Sequence, residues 1–155
     1  MSDANMPTFL TCLVLNVSGR KLVLPNTSVA EIVPFRHIEK LARAPQWLAG
    51  KIEWRGLHLP VLSYAELADC YDDAEPSDLV VILNALGKRD DFRFFAMAIS
   101  GIPSALRVDA SLAADMQAEL ESFELQAVRL AQGQAAYIPD LASLEDLLLS
   151  ADIQG

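Results

Sequence analysis

The run Ala44-Pro45-Gln46-Trp47-Leu48-Ala49-Gly50-Lys51-Ile52-Glu53-Trp54-Arg55-Gly56-Leu57-His58-Leu59-Pro60-Val61-Leu62-Ser63-Tyr64-Ala65-Glu66-Leu67 constrains this chain more than any other. It reads as a short helical turn after Pro45, a strand, a tight turn at Arg55-Gly56, a second strand and a helix. Gly50 ends the first turn, where a left-handed or closely packed backbone is expected. Gly56 supplies the hairpin turn, and Leu57 to Leu62 is too apolar for a surface loop. Arg55 sits at the turn between two apolar strands. Its guanidinium cannot shed its charge, so it calls for an acidic partner or a binding role.

The rest of the chain reads as many short strands with few helices, an all-β barrel class. Thr8 to Val17 is a buried strand, Ser18-Gly19 a turn, and Arg20 to Leu24 the returning partner. Asn26 or Thr27 caps one helical turn through Glu31, and Glu31 to Phe35 runs extended. Ser63 caps the helix after the hairpin, with Glu66 as its capping-box partner, and that helix ends near Cys70. Residues 72–77 form an acidic connector. Strands follow at Leu79–Leu83, Phe92–Ile99 and Ala105–Val108, with a polar loop over Gly87 to Asp91. Ala110 to Glu121 is helical or a long loop. Phe123 to Leu130 alternates, Gln132-Gly133-Gln134 turns, and Ala135 to Ile138 is the next strand. Asp140 caps a last amphipathic helix through Leu149.

One echo suggests two halves built alike. Leu59-Pro60-Val61-Leu62 to Glu66 and Ile138-Pro139-Asp140-Leu141 to Glu145 share apolar-Pro-x-Leu-x-x-x-Glu. Each lies at a strand-to-helix junction after a glycine-containing turn, where proline ends ladder donation with its φ already set.

Composition narrows the function. An apolar fraction of 52% over 155 residues supports a sizeable core and excludes disorder. No apolar run approaches the ~18 residues of a membrane span. Met1 to Pro7 lacks the basic start of a secretory signal. Cys12 and Cys70 stand far apart without metal-ligand spacing, and Cys12 sits in an apolar strand, so a cytoplasmic protein without disulfides is expected.

Net charge is −9, which disfavours nucleic acid and anionic lipid. It is unevenly spread: Arg36 to His58 carries a net +3, whereas Asp109 to the end carries −8. Solvated surface on both halves is the plainer account. Faces of opposite sign that orient protein partners are the sharper one.

Reactive constellations are missing. Asn16-Val17-Ser18-Gly19 and Ile99-Ser100-Gly101 read as turns rather than nucleophile elbows, and the glycines are too scattered for a phosphate loop. His37 and His58 have no companion at metal-ligand spacing. His58 alternates with Leu57 and Leu59, which makes it a surface or hydrogen-bonded histidine in preference to a catalytic base. Asp72-Asp73 and Asp90-Asp91 point apart along extended chain and do not pair for acid–base work. No catalytic, metal-binding or cofactor-binding residue is therefore assigned. Trp47 and Trp54 are core or inter-barrel filling, or partner-facing anchors of the kind that dominates interfaces.

Pro45 to Gly50, Trp54-Arg55-Gly56 and Leu59-Pro60-Val61-Leu62 stand in the order and spacing that resemble the CheW family of chemotaxis coupling proteins. Upstream, Gly19 to Pro25 and Val29-Ala30-Glu31-Ile32-Val33 are similar to that family's opening strand pair and Val-x-Glu-apolar turn. Trp54 departs from the pattern, where leucine is commoner, and Ser63-Tyr64-Ala65 replaces an Asp-Leu-Arg-type helix opening. Both departures point to a divergent branch, of the kind attached to type IV pilus chemosensory systems.

The resemblance implies one CheW-like domain over residues 1–155, built of two interleaved, five-stranded SH3-like β-barrels with a C-terminal helix at about 140–150. It implies a non-catalytic cytoplasmic adaptor without cofactor, held at membrane receptor arrays through its partners. Those partners are a CheA-type histidine kinase regulatory domain and a chemoreceptor tip. Val29 and Glu31 mark one contact region; Arg55 with Gly50 and Gly56 marks another, with Val61 on the strand beneath. Glu31 is placed beside Arg55, and such a pair, if partly buried, would cost roughly 3–5 kcal/mol to break. The alternatives are a small-molecule-binding or hydrolytic β-barrel, and a regulator of a sensor kinase outside motility.

Overall fold

Strand-forming residues dominate the chain, and the computed structural model arranges the described residues as ten strands and two short helices. The strands are β1 (Leu10–Val17), β2 (Arg20–Pro25), β3 (Val29–Pro34), β4 (Leu48–Trp54), β5 (Leu57–Leu62), β6 (Leu79–Arg89), β7 (Phe92–Val108), β8 (Ala113–Ala114), β9 (Glu124–Arg129) and β10 (Ala135–Pro139). The helices are α1 (Tyr64–Ala68) and α2 (Leu141–Ser150). The structure describes residues 10–17, 19–34, 38–68, 79–108, 113–114, 119–120, 123–130 and 133–150.

The strands form two units that share β7. One holds β3-β6-β7-β5-β4 in spatial order, and the other holds β7-β1-β2-β10-β9-β8. Within the first, β6–β7 is antiparallel, β7–β5 parallel and β5–β4 antiparallel. The second repeats the scheme: β1–β2 antiparallel, β2–β10 parallel, β10–β9 antiparallel. A helix follows the returning hairpin strand in each, α1 after β5 and α2 after β10. The Pro60 and Pro139 echo thus falls on corresponding strands of a repeated topology, but Pro60 lies inside β5, which runs on to Leu62, whereas Pro139 ends β10. Among the described residues the ladders stay open: β3 and β4, the outer strands of the first unit, do not pair with each other.

Period-two burial explains these elements. In β4, Leu48, Gly50, Ile52 and Trp54 are buried while Glu53 is exposed, as one face of a sheet over a core requires. Each unit encloses a small apolar cluster. Ile52, Trp54, Leu59, Val61, Val80, Ile82 and Ala96 fill the first; Cys12, Val14, Val23, Val128 and Ala136 fill the second. The largest cluster belongs to both units. It joins Leu15, Leu22 and Leu24 to Leu62, Tyr64, Leu83, Phe95 and Met97, with Leu144 and Leu148 of α2.

Several expectations require correction. The helical turn after Pro25 is a 3-10 turn of only Asn26–Ser28 with no side-chain cap. β-branched Val29, Ile32 and Val33 go instead to a strand paired with β6. Gly50 does not end a turn; it lies inside β4, at a register shift against β5. β6 extends through Arg89, well past Leu83. Phe92–Ile99 and Ala105–Val108 are one strand, because Gly101, at φ 69°, kinks β7 without ending it. Within 110–121, Ala113–Ala114 pairs with β9 and is neither helix nor loop.

At α1 the Ser63 backbone carbonyl accepts from the Glu66 and Leu67 amides, and no side-chain capping box forms among the described residues. Asp140 does cap α2: its carboxylate accepts from the Ser143 amide at 3.2 Å and the Ser143 hydroxyl at 2.7 Å. The acidic connector, Cys70 and residues 35–37 lie outside the described residues.

Candidate protein-docking site

The β4–β5 hairpin turns on Arg55 and Gly56, at φ 49° and 78°. Two consecutive positive φ values define the type I′ geometry whose twist matches that of the flanking strands. Glycine meets this requirement freely, whereas arginine adopts it only at a conformational cost. The turn carries the Arg55 side chain outward, with its guanidinium 4.8 Å from the centre of the Trp54 ring. Arg55 Nη2 donates to Glu31 Oε1 at 2.7 Å, so the pairing expected from the resemblance is present.

Its energetics differ from the expectation for a partly buried pair. Arg55 keeps 68% of its side-chain exposure and Glu31 37%. A pair open to solvent on this scale contributes about 0–1 kcal/mol, not the 3–5 kcal/mol of a buried one.

The structure brings Glu31 to Arg55 at the hairpin turn with Gly56 beside it, and puts Gly50 and Val61 in the strands beneath. Gly50 and Val61 are direct cross-strand partners, and both are buried. A Cβ on Gly50 would meet the Glu39 carbonyl and Ile38 Cγ2, because Glu39 and Lys51 exchange backbone hydrogen bonds of 2.8 Å across it. Gly50 is therefore required for close approach. Val61 is wholly buried and belongs to the core under the hairpin, and Val29 is half-buried against the shared cluster.

Trp54 is core: it is 8% exposed and meets Phe94 edge-on at 4.9 Å. Trp47 packs, half-buried, against the shared cluster. His58 is exposed, as is Leu57 beside it.

Beside the Arg55–Glu31 pair lies a groove of about 640 Å³ between β3 and β4, which do not pair with each other. Val33, Ile38, Ile52 and Trp54 give it an apolar lining; Glu39, Lys51, Glu53 and Arg55 give it charge of both signs, and His58 borders it as well. No cluster of metal-ligating side chains occurs among the described residues. An apolar trough bordered by charged groups, beside an exposed guanidinium, presents the ingredients of a protein interface.

Sequence reasoning missed two buried carboxylates. Glu124 is held by Arg20 and Tyr64. Glu145 accepts the Leu86 and Gly87 amides at 2.7 and 3.0 Å, tying α2 to β6. Glu145 stood in the sequence echo, where its burial had no separate sign. Glu124 lies in an alternating strand whose partners come from distant segments.

Fold and site define a class: an all-β module of two interlocked small units with a charged hairpin exposed at one end. The chain belongs to the CheW-like domain family, whose model matches residues 11–147. A similar solved structure is the scaffolding protein TtCheW from Thermoanaerobacter tengcongensis, with a TM-score of 0.76 and 17% identity over 90% of this chain and 89% of that one. The likeness to it is one of fold. Among curated proteins, none matches this chain in sequence. No helix among the described residues is long and apolar enough to cross a membrane.

Proposed function

We propose that this chain is a non-catalytic adaptor of chemotaxis-type signalling that couples a chemoreceptor's cytoplasmic tip to a CheA-type histidine kinase. Residues 1–155 act as one domain, in the cytoplasm at a receptor array, and the divergent hairpin suits a type IV pilus or twitching-motility system. The observation that carries this reading is the exposed Arg55, presented on a type I′ turn beside Glu31. It stands on a chain of the CheW-like family. An exposed cation on a rigid turn steers and orients a partner more than it stabilises its own fold.

In this reading Glu31, Arg55 and Gly56 meet the kinase's regulatory domain, together with Val29 on the same strand as Glu31. Gly50 and Val61 hold the hairpin from below. Receptor and kinase held on one body bias each other through differential contacts in their conformers.

The test is capture of a CheA-type kinase regulatory domain by the purified chain, compared with Arg55→Glu. Reversal places like charges side by side but breaks only an exposed pair, so the variant keeps its cooperative melt. Kinase affinity is expected to fall at least about tenfold, with a weaker salt dependence. Unchanged affinity, or an unfolded variant, removes Arg55 from the interface.

A further inference from the structure

Arg20, Glu124, Tyr137 and Tyr64 converge where the two units abut. The Glu124 side chain is wholly buried. Arg20 Nε and Nη2 each donate to it at 2.6 Å, one to each carboxylate oxygen, and the Tyr64 hydroxyl donates to Oε2 at 2.7 Å. The guanidinium lies 3.6 Å from the centre of the Tyr137 ring, and its bonds to Glu124 hold its pKa above the ordinary arginine range. Two donors in a fixed fork fix the plane of the carboxylate as well as its position.

The origins of these residues give the cluster its meaning. Arg20, Glu124 and Tyr137 come from β2, β9 and β10 of one unit. Tyr64 opens α1 of the other, directly after the returning strand of the Arg55 hairpin, and is fully buried in the shared cluster. Apolar contacts in that cluster are non-directional and tolerate small shifts of one unit on the other. A charge-assisted hydrogen bond from a buried hydroxyl to an immobilised carboxylate tolerates few. Displacing Tyr64 takes one charge-assisted donor from a buried carboxylate.

We propose that Glu124 is an orientation-setting joint: Arg20 immobilises it on one unit, and the Tyr64 hydroxyl of the other unit docks on it. The two units are thereby held at one angle. Tyr64 and Glu124 are positioning residues, and their effect on the docking hairpin travels through α1 and β5. The joint stands apart from the docking reading, because its test uses the chain alone.

Tyr64→Phe deletes the hydroxyl and keeps the ring. Amide hydrogen exchange on the full chain, read by mass spectrometry, is expected to quicken about tenfold or more in α1, β9 and β10, with β6 and the first half of β7 unchanged. Unchanged exchange, or one uniform acceleration along the whole chain, overturns the proposal. A second variant, Arg20→Met with Glu124→Leu, exchanges the ion pair for apolar side chains. The swap also takes the Glu124 acceptor from the buried Tyr64 hydroxyl, so the melting temperature is expected to fall modestly while exchange at α1 quickens. Slow exchange at α1 in that variant would reduce the joint to packing and overturn the proposal equally. If the double variant does not fold, Tyr64→Phe decides alone.

Discussion

Gly50 and Gly56 stand on the same hairpin under different constraints. A Cβ at Gly50 meets the Glu39 backbone and Ile38, at a φ of 151°; a Cβ at Gly56 meets nothing within 4 Å, at a φ of 78°. Gly50→Ala is therefore expected to destabilise by about 3 kcal/mol. Gly56→Ala carries only the left-handed penalty of about 1–2 kcal/mol. Urea denaturation midpoints of the two variants order them, and equal losses would show that the Glu39–Lys51 bridge yields easily. Cys12 is buried, and burial raises its thiol above the ordinary 9.0. The unfolded chain then ionises first as pH climbs. The thiol's stabilising contribution is full below pH 9.0 and declines above it. Native Cys12 is expected to react slowly with a thiol reagent at pH 8 and quickly once unfolded, as mapping of its peptide by mass spectrometry would register. At this scale the motif residues were legible: the Arg55-Gly56 turn follows from local chemistry and the Glu31 contact from the resemblance. Their energetics were not, because exposure depends on what surrounds a residue in space.

Helix α2 illustrates how an element combines local and distant causes. Asp140 caps it from within the sequence, through the Ser143 amide and hydroxyl. Leu144 and Leu148 bury its inner face, and Glu145 seats it on the β6 backbone amides. Asp140→Ala is expected to cost about 1 kcal/mol and Leu144→Ala about 2–5 kcal/mol, compared by thermal melts. A larger loss from the cap than from the core leucine would reverse the assigned roles. The cap and the apolar periodicity were readable in advance. β7 was not. Gly101 and Pro103 are strand breakers by local rules, yet the strand runs on because β6 and β5 hold it before Gly101 and β1 pairs with it on both sides of the irregularity, at Ser100 and again from Ser104. The early end of the Asn26 turn at Ser28 and the Ala113–Ala114 strand fall in the same category, since pairing with β6 and with β9 outweighs weak local preference.

At the scale of the molecule, the two units repeat one topology and share their largest apolar cluster. Leu48, Leu62, Tyr64 and Val81 of the first unit pack in a common core with Leu15, Leu22 and Leu24 of the second. Neither unit buries that surface alone. A fragment covering residues 29–99 is therefore expected to show no cooperative unfolding transition by circular dichroism, whereas the full chain shows one. A sharp transition in the fragment would make the first unit autonomous. The interleaving has a mechanical consequence: β7 pairs with β5 of the Arg55 hairpin and with β1, so a displacement of the hairpin would strain an element the other unit also needs.

The sequence by itself determined the β class, the hairpin with its charged turn, the capped last helix and the repeated strand-to-helix junction. Each of these rests on forces that act within a few residues: φ restrictions, period-two burial and capping. Only the tertiary structure decided how the two hairpins join the remaining strands, that β7 is continuous and that the close approach expected at Gly50 is to Glu39 from inside β4. It alone brought Arg20, Glu124 and Tyr64 together from three distant segments. Hydrogen-bond partners and desolvation are properties of neighbours in space, and one dimension of sequence does not name them.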